Sequence, residues 1–135
     1  MFRTRHLEEV NRDEIIKHIT EYLINKENIV GVYIFGSFGT DDFNSQSDID
    51  IAILPKGEIS YSQCLKLNSE LEDTIGIPID LNDINALPEY IQVQVIMRNY
   101  QLFMKDCIEE EKYLDRLNHW IKTEFPFWKK LVGCN

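Results

Sequence analysis

Three aspartates and a Gly-Ser pair carry the chemistry this sequence can offer. Asp48 and Asp50 form an Asp-x-Asp inside the apolar run that continues through Ile51-Ala52-Ile53-Leu54, and Asp80 stands in Ile77-Pro78-Ile79-Asp80-Leu81. Side chains alternate faces along a strand, so Asp48 and Asp50 project from one face about 6.6 Å apart along the chain. Ile49, Ile51 and Ile53 take the opposite face. Asp80 repeats the pattern between Ile79 and Leu81. If the two strands are neighbours, three carboxylates converge. Such a cluster repels itself unless it holds a proton or a cation. Hard oxygen ligands with room for water and phosphate suit Mg²⁺. Gly36-Ser37 follows the apolar run Ile29 to Phe35. A glycine there lets backbone N–H groups approach an anion, and the serine hydroxyl adds a donor. A lone Asp-x-Asp is more often a pair of solvated acids, and a lone Gly-Ser more often a turn. The two signals together, ten residues apart (Phe38 to Ser47), outweigh those bland readings.

The elements that must position these residues can be read from periodicity. Ile15, Ile16, Ile19, Tyr22 and Leu23 share a helical face within about Asn11 to Lys26, with Asn11 and Glu14 at capping-box spacing. Ile29 to Phe35 predicts a buried strand, Asp48 to Leu54 a second strand stopped by Pro55, and Ile77 to Leu81 a third. Between them, Cys64, Leu67, Leu71 and Ile75 predict a helix over Ser60 to Ile75, closed by Gly76. Leu87 to Met97 reads as a helix, Tyr100 to Met104 as a short strand, and about Asp106 to Lys122 as a last helix with Leu114, Leu117, Trp120 and Ile121 on one face. Short alternating segments of this kind predict an α+β domain with helices packed on a mixed sheet.

Bulk properties narrow the function classes. A chain of 135 residues is one domain by size, with a core over about 11–104 and a C-terminal helix and tail over 106–135. Its net charge of −9 argues against direct nucleic-acid binding, which draws its affinity from Lys and Arg on phosphates. The charge is also unevenly placed. Glu27 to Pro55 and Leu67 to Met97 contain acids but no Lys, Arg or His. Each stretch holds one of the aspartate strands, so the proposed cleft would repel a bare triphosphate and attract one that arrives with divalent metal. Cys64, Cys107 and Cys134 have neither disulfide nor zinc-knuckle spacing. No secretory leader or membrane-length apolar run is evident, which predicts a cytoplasmic chain with no membrane partner.

Gly36-Ser37, ten residues, then Asp48-x-Asp50 resembles the G-S-x10-D-x-D signature of the polymerase-β-like nucleotidyltransferase superfamily. The short length is similar to its minimal nucleotidyltransferases, many of them antitoxins paired with a HEPN-domain RNase toxin. The likeness extends over about Asn11 to Lys122: Asp80 stands where that family has its third metal carboxylate, Arg98 to Phe103 resembles the turn and strand after the next helix, and Tyr113-Leu114-Asp115 resembles a Tyr-x-Asp of the final helix. The resemblance implies a single-domain polymerase-β-like fold. It implies that Asp48, Asp50 and Asp80 hold two Mg²⁺ ions, with Asp80 a general base, and that Gly36 and Ser37 bind the phosphates of ATP. It further implies AMP transfer to a tyrosine of a HEPN toxin, in a homo- or hetero-oligomer. The alternatives are an antitoxin that acts by binding alone, through the tail Phe125-Pro126-Phe127-Trp128, and transfer to a small molecule such as an aminoglycoside. Two departures stand out: Thr40-Asp41 occupies the region of a usual Arg-Gly pair, and Tyr100 replaces a usual glycine, leaving Asn99 to take positive φ. Arg98 and Lys105 are the candidates for phosphate contact. His6, His18 and His119 lack metal-ligand spacing, and Tyr113 and Asp115 read more simply as a packing tyrosine and a solvated acid.

Overall fold

The computed structural model describes residues 12–44 and 46–124. The aromatic tail and the Asn11 cap anticipated from the sequence lie outside these. The chain runs α1 (Arg12–Ile24), β1 (Ile29–Phe35), β2 (Ile49–Pro55), α2 (Tyr61–Ile75), β3 (Ile79–Asp83), a 3-10 turn (Ile84–Ala86), α3 (Glu89–Arg98), β4 (Gln101–Met104) and α4 (Cys107–Thr123). The sheet order is β3-β2-β1-β4. β1 pairs antiparallel with β2 and β4, and β2 pairs parallel with β3, so the sheet is mixed as the alternation predicts.

Element ends differ from the periodicity reading where prolines intervene. β3 begins at Ile79 rather than Ile77, because Pro78 has no N–H for the ladder, although its carbonyl accepts from Ile49 N at 2.9 Å. Pro55 closes β2 from within, opposite Ile29 and beside a register shift that tolerates a missing donor. Asp48 stands just before β2. α2 carries a full capping box, Ser60 with Gln63, and ends on Gly76 at φ 79°.

The strands separate two cores. Ile49, Ile51 and Ile53, with Val32, Ile34, Ile79 and Leu81, pack against Ile15, Ile19 and Leu23 of α1 and Leu67, Leu71 and Ile75 of α2. Val30, Tyr33, Ala52 and Leu54 pack with Val95 of α3 and Tyr113 and Leu117 of α4. The face opposite the isoleucines is therefore covered over much of its length. The aspartates occupy the end of that face, where Asp50 is half-buried and Asp48 and Asp80 are exposed.

Candidate active site

β1 delivers the chain to Gly36, whose φ of +70° turns it sharply. A Cβ on Gly36 would lie 1.9 Å from Asp50 Oδ2, so the bare backbone at this position is what lets the turn and the carboxylate share the space. The turn then closes on itself: Thr40 N and Thr40 Oγ1 both donate to Ser37 O, at 2.9 and 2.6 Å. Phe38 is buried and meets Phe43 edge-to-face with centroids 5.1 Å apart, which anchors the turn in the α1/α2 core.

Arg98 holds the turn from the other side. It is the last residue of α3, followed by Asn99 in the left-handed region at φ 58°, the role expected of that asparagine. Its guanidinium lies 5.6 Å from the Tyr100 ring and donates through Nη1 to Gly36 O and through Nη2 to Phe38 O. In a trans peptide the N–H points opposite to the preceding carbonyl. Two carbonyls drawn toward Arg98 therefore turn the N–H groups of Ser37 and Gly39 away from it. Arg98 is thus a clamp on the Gly-Ser turn. It also supplies from α3 the cation that the insert itself lacks. Lys105 belongs elsewhere: its Nζ donates to Ile24 O and Lys26 O at 3.0 and 2.9 Å, and its N–H donates to Val30 O near the opposite end of β1.

The aspartate strands are neighbours. Asp50 stands in register with Asp80 on one side and with Phe35 on the other, so the sheet places the turn, Asp50 and Asp80 in sequence from β1 to β3. The Asp50 carboxyl is pushed up to about 6, first by desolvation, then by the charges of Asp80 and Asp48 and a hydrogen bond to Asp80, against an opposing pull from Arg98. Among the described residues no group of three His, Cys, Asp or Glu side chains is arranged to hold a metal ion by itself. The donor chemistry nonetheless fits Mg²⁺: a desolvated carboxylate crowded by two others needs a cation at neutral pH, and Mg²⁺ commonly takes one or two carboxylates and completes its shell with water and phosphate oxygens.

Other candidates settle into structural roles. Tyr113 is buried and donates to Gln92 Oε1 at 2.8 Å, while Gln92 Nε2 donates to Leu87 O at 2.7 Å. Asp115, His18 and His119 lie exposed on helix surfaces, and Cys64 is buried against the α1/α2 core. No helix among the described residues is long and apolar enough to cross a membrane.

Comparison with known proteins gives a consistent picture. Residues 17–108 match the family described as polymerase beta, nucleotidyltransferase. A Methanocaldococcus jannaschii protein named as a protein adenylyltransferase is 32% identical over 74 residues, covering 55% of this chain and 76% of the relative. The protein adenylyltransferase MntA of Shewanella oneidensis is 26% identical over 97 residues, covering 72% of this chain and 68% of the relative. Among solved structures, a chain of the complex of tri-AMPylated Shewanella oneidensis HEPN toxin with MNT antitoxin superposes with a TM-score of 0.65 at 20% identity, over 91% of this chain and 100% of that one. A toxin–antitoxin structure with AMP-PNP gives a TM-score of 0.64 at 22% identity, over 92% of this chain and 100% of the other.

Proposed function

Since the chain belongs to the polymerase beta nucleotidyltransferase family, we propose that it is a Mg²⁺-dependent protein adenylyltransferase that moves AMP from ATP to a tyrosine of a HEPN-domain RNase toxin and so acts as an antitoxin. Support for the donor and acceptor comes from the adenylyltransferase relatives and from fold neighbours solved with AMP-PNP and with an AMPylated HEPN toxin. The observation that carries the chemistry is the Asp50–Asp80 pair abutting the Gly36 turn.

In this reading the N–H groups and hydroxyl around Ser37 hold the β- and γ-phosphates. Asp48 and Asp50 would hold Mg²⁺ with the triphosphate, and Asp80 would share a second ion. The ions, when bound, neutralise the phosphates and lower the pKa of the acceptor hydroxyl. Asp80 receives the acceptor's proton, the phenolic oxygen bonds to the α-phosphorus, and the bond from that phosphorus to the bridging oxygen breaks. Pyrophosphate leaves toward Ser37, where the clamped turn receives it. A cytoplasmic location, where ATP is abundant, goes with this reading. Incubation with α-labelled ATP, MgCl₂ and the partner toxin should label the toxin, and Asp48→Asn with Asp50→Asn should abolish labelling. Transfer that survives the double substitution overturns the assignment.

A further inference from the structure

Asp80 differs from Asp50 in how its strand is held. Asp50 stands on β2, between β1 and β3, whereas β3 is a five-residue edge strand entered through Pro78. An edge strand presents a row of backbone groups with no sheet partner. Pro78 O accepts from Ile49 N, so Pro78, Asp80 and Asn82 turn their backbone groups toward β2. Ile79, Leu81 and Asp83 turn theirs outward.

α2 meets that outward row. Ile79 N donates to Glu72 Oε1 and Leu81 N to Asn68 Oδ1, both at 2.8 Å. One turn earlier in α2, a backbone hydrogen bond joins Cys64 to Asp83. The helix positions are thus spaced by four and the strand positions by two. Four helical residues advance about 6.0 Å and two strand residues about 6.6 Å, so the rungs stay in step as helix and strand run antiparallel. Asn68 Nδ2 also donates to Glu72 Oε1 at 3.3 Å, which turns Asn68 Oδ1 toward Leu81 N.

Two of these rungs flank Asp80. The side chains of Ile79 and Leu81 pack into the α1/α2 core, and the Asp80 carboxylate projects from the other face. Fixing the peptide N–H on each side of Asp80 sets the plane of the strand there, and with it the direction of the Cα–Cβ bond. Asn68 and Glu72 are half-buried, so an N–H left without either one pays its desolvation.

Resting on the transfer reaction above, we propose that Asn68 and Glu72 are positioning residues: by holding the two peptides that flank Asp80, they keep its carboxylate beside Asp50. Neither lies on the carboxylate face, so both act through the strand. Their effect falls on the transfer step rather than on ATP binding, because the Gly36 turn and Asp50 belong to β1 and β2.

Kinetics and amide NMR of the isotope-labelled chain test this together. Asn68→Ala and Glu72→Ala should each lower kcat about tenfold or more, the usual cost of removing a hydrogen bond that supports a metal ligand, and leave KM for ATP unchanged. Alanine is the best helix former, so neither change unwinds α2. Glu72→Gln keeps the acceptor oxygen, removes the charge and should restore kcat. Ser60→Ala breaks the capping box of the same helix and should leave kcat unchanged. The amides of Ile79 and Leu81 should exchange faster in the alanine variants, and the MgCl₂ midpoint read at the Asp80 amide should rise about tenfold. An unchanged kcat in both alanine variants overturns the proposal. So does an equal fall in Ser60→Ala, or a Glu72→Gln no better than Glu72→Ala. If the unaltered chain transfers no label, the transferase reading fails alone and the MgCl₂ titration decides. A midpoint that ignores both alanine variants, or an Asp80 amide with no response to MgCl₂, then overturns the positioning role.

Discussion

Asp50 should lower the stability of the metal-free protein, and Asp50→Asn should relieve it. The carboxyl is held at about 6 in the folded chain against an ordinary 3.8, by burial and by Asp80 and Asp48. For an acid whose folded pKa is raised, the native state binds the proton more tightly than the unfolded state. Stability contributed by the protonated form is fully present below 3.8 and is lost as pH rises through about 6. At pH 7.5 the ionised group costs about 3 kcal/mol at face value, and solvent screening of this half-buried side chain brings that to about 1–1.5 kcal/mol. Asparagine keeps the shape, removes the charge and can donate to Asp80. At about 3–5 °C per kcal/mol for a domain of this size, Asp50→Asn should raise Tm by about 3–7 °C in EDTA at pH 7.5. The gap should shrink as pH falls toward 4.5, where Asp50 itself is protonated. MgCl₂ should raise Tm of the unaltered chain more than that of the variant. Scanning calorimetry at the two pH values measures all of this. A variant no more stable at pH 7.5, or a gap that ignores pH, refutes the charge-crowding account of the site.

Three further outcomes follow from the geometry. Gly36→Ala places a methyl 1.9 Å from Asp50 Oδ2 at a positive φ, so it should cost about 1–2 kcal/mol in chemical denaturation and abolish AMP-PNP binding in calorimetric titration. Arg98→Ala releases Gly36 O and Phe38 O together and should raise KM for ATP about tenfold, or about 1.4 kcal/mol. Arg98→Lys should recover only part of this, because a single ammonium lacks the planar fork, and equal KM values across the series would dismiss the clamp. Tyr113→Phe strands the buried Gln92 Oε1 and should lose about 1–2 kcal/mol of stability with kcat and KM unchanged. A large drop in kcat there would move Tyr113 into the site.

The fold was legible wherever hydrophobic periodicity was strong. The isoleucines of β2 and the Leu67/Leu71/Ile75 stripe of α2 declare their faces, and both are buried as their spacing predicts. The meeting of Asp50 with Asp80 was legible only conditionally, since strand adjacency is a long-range fact that no local pattern encodes; the parallel register of β2 and β3 supplies it. What could not be read was direction. Arg98 and Lys105 lie in one charge-poor region, yet one reaches the Gly-Ser turn and the other the end of α1, because β4 pairs antiparallel with β1 and carries its two ends to opposite poles. A signal existed in the charge map, where Arg98 is the first basic residue after Lys66.

The period of two in β2 also explains how a self-repelling site persists in a small domain. Asp50 costs about 1–1.5 kcal/mol at neutral pH after screening, whereas each fully buried isoleucine contributes about 1.5–3 kcal/mol. Ile49, Ile51 and Ile53 are each 0% exposed on the opposite face of the strand. Packing on one face outweighs the cost of charge on the other, so β2 holds in either state of its carboxylates, although the stability of the domain shifts with that state. The helices reinforce the separation, since α1 and α2 cover the isoleucines while α3 ends at Arg98, beside the turn. A cation or a proton can therefore come and go at Asp50 at a cost smaller than the burial of one isoleucine, and substitutions that remove the charge should alter transfer while leaving the fold at least as stable. The same logic predicts the reverse for Ile51→Ala: a loss of about 2–5 kcal/mol from the cavity, with Asp50 still beside Asp80 in whatever fraction of the chain remains folded.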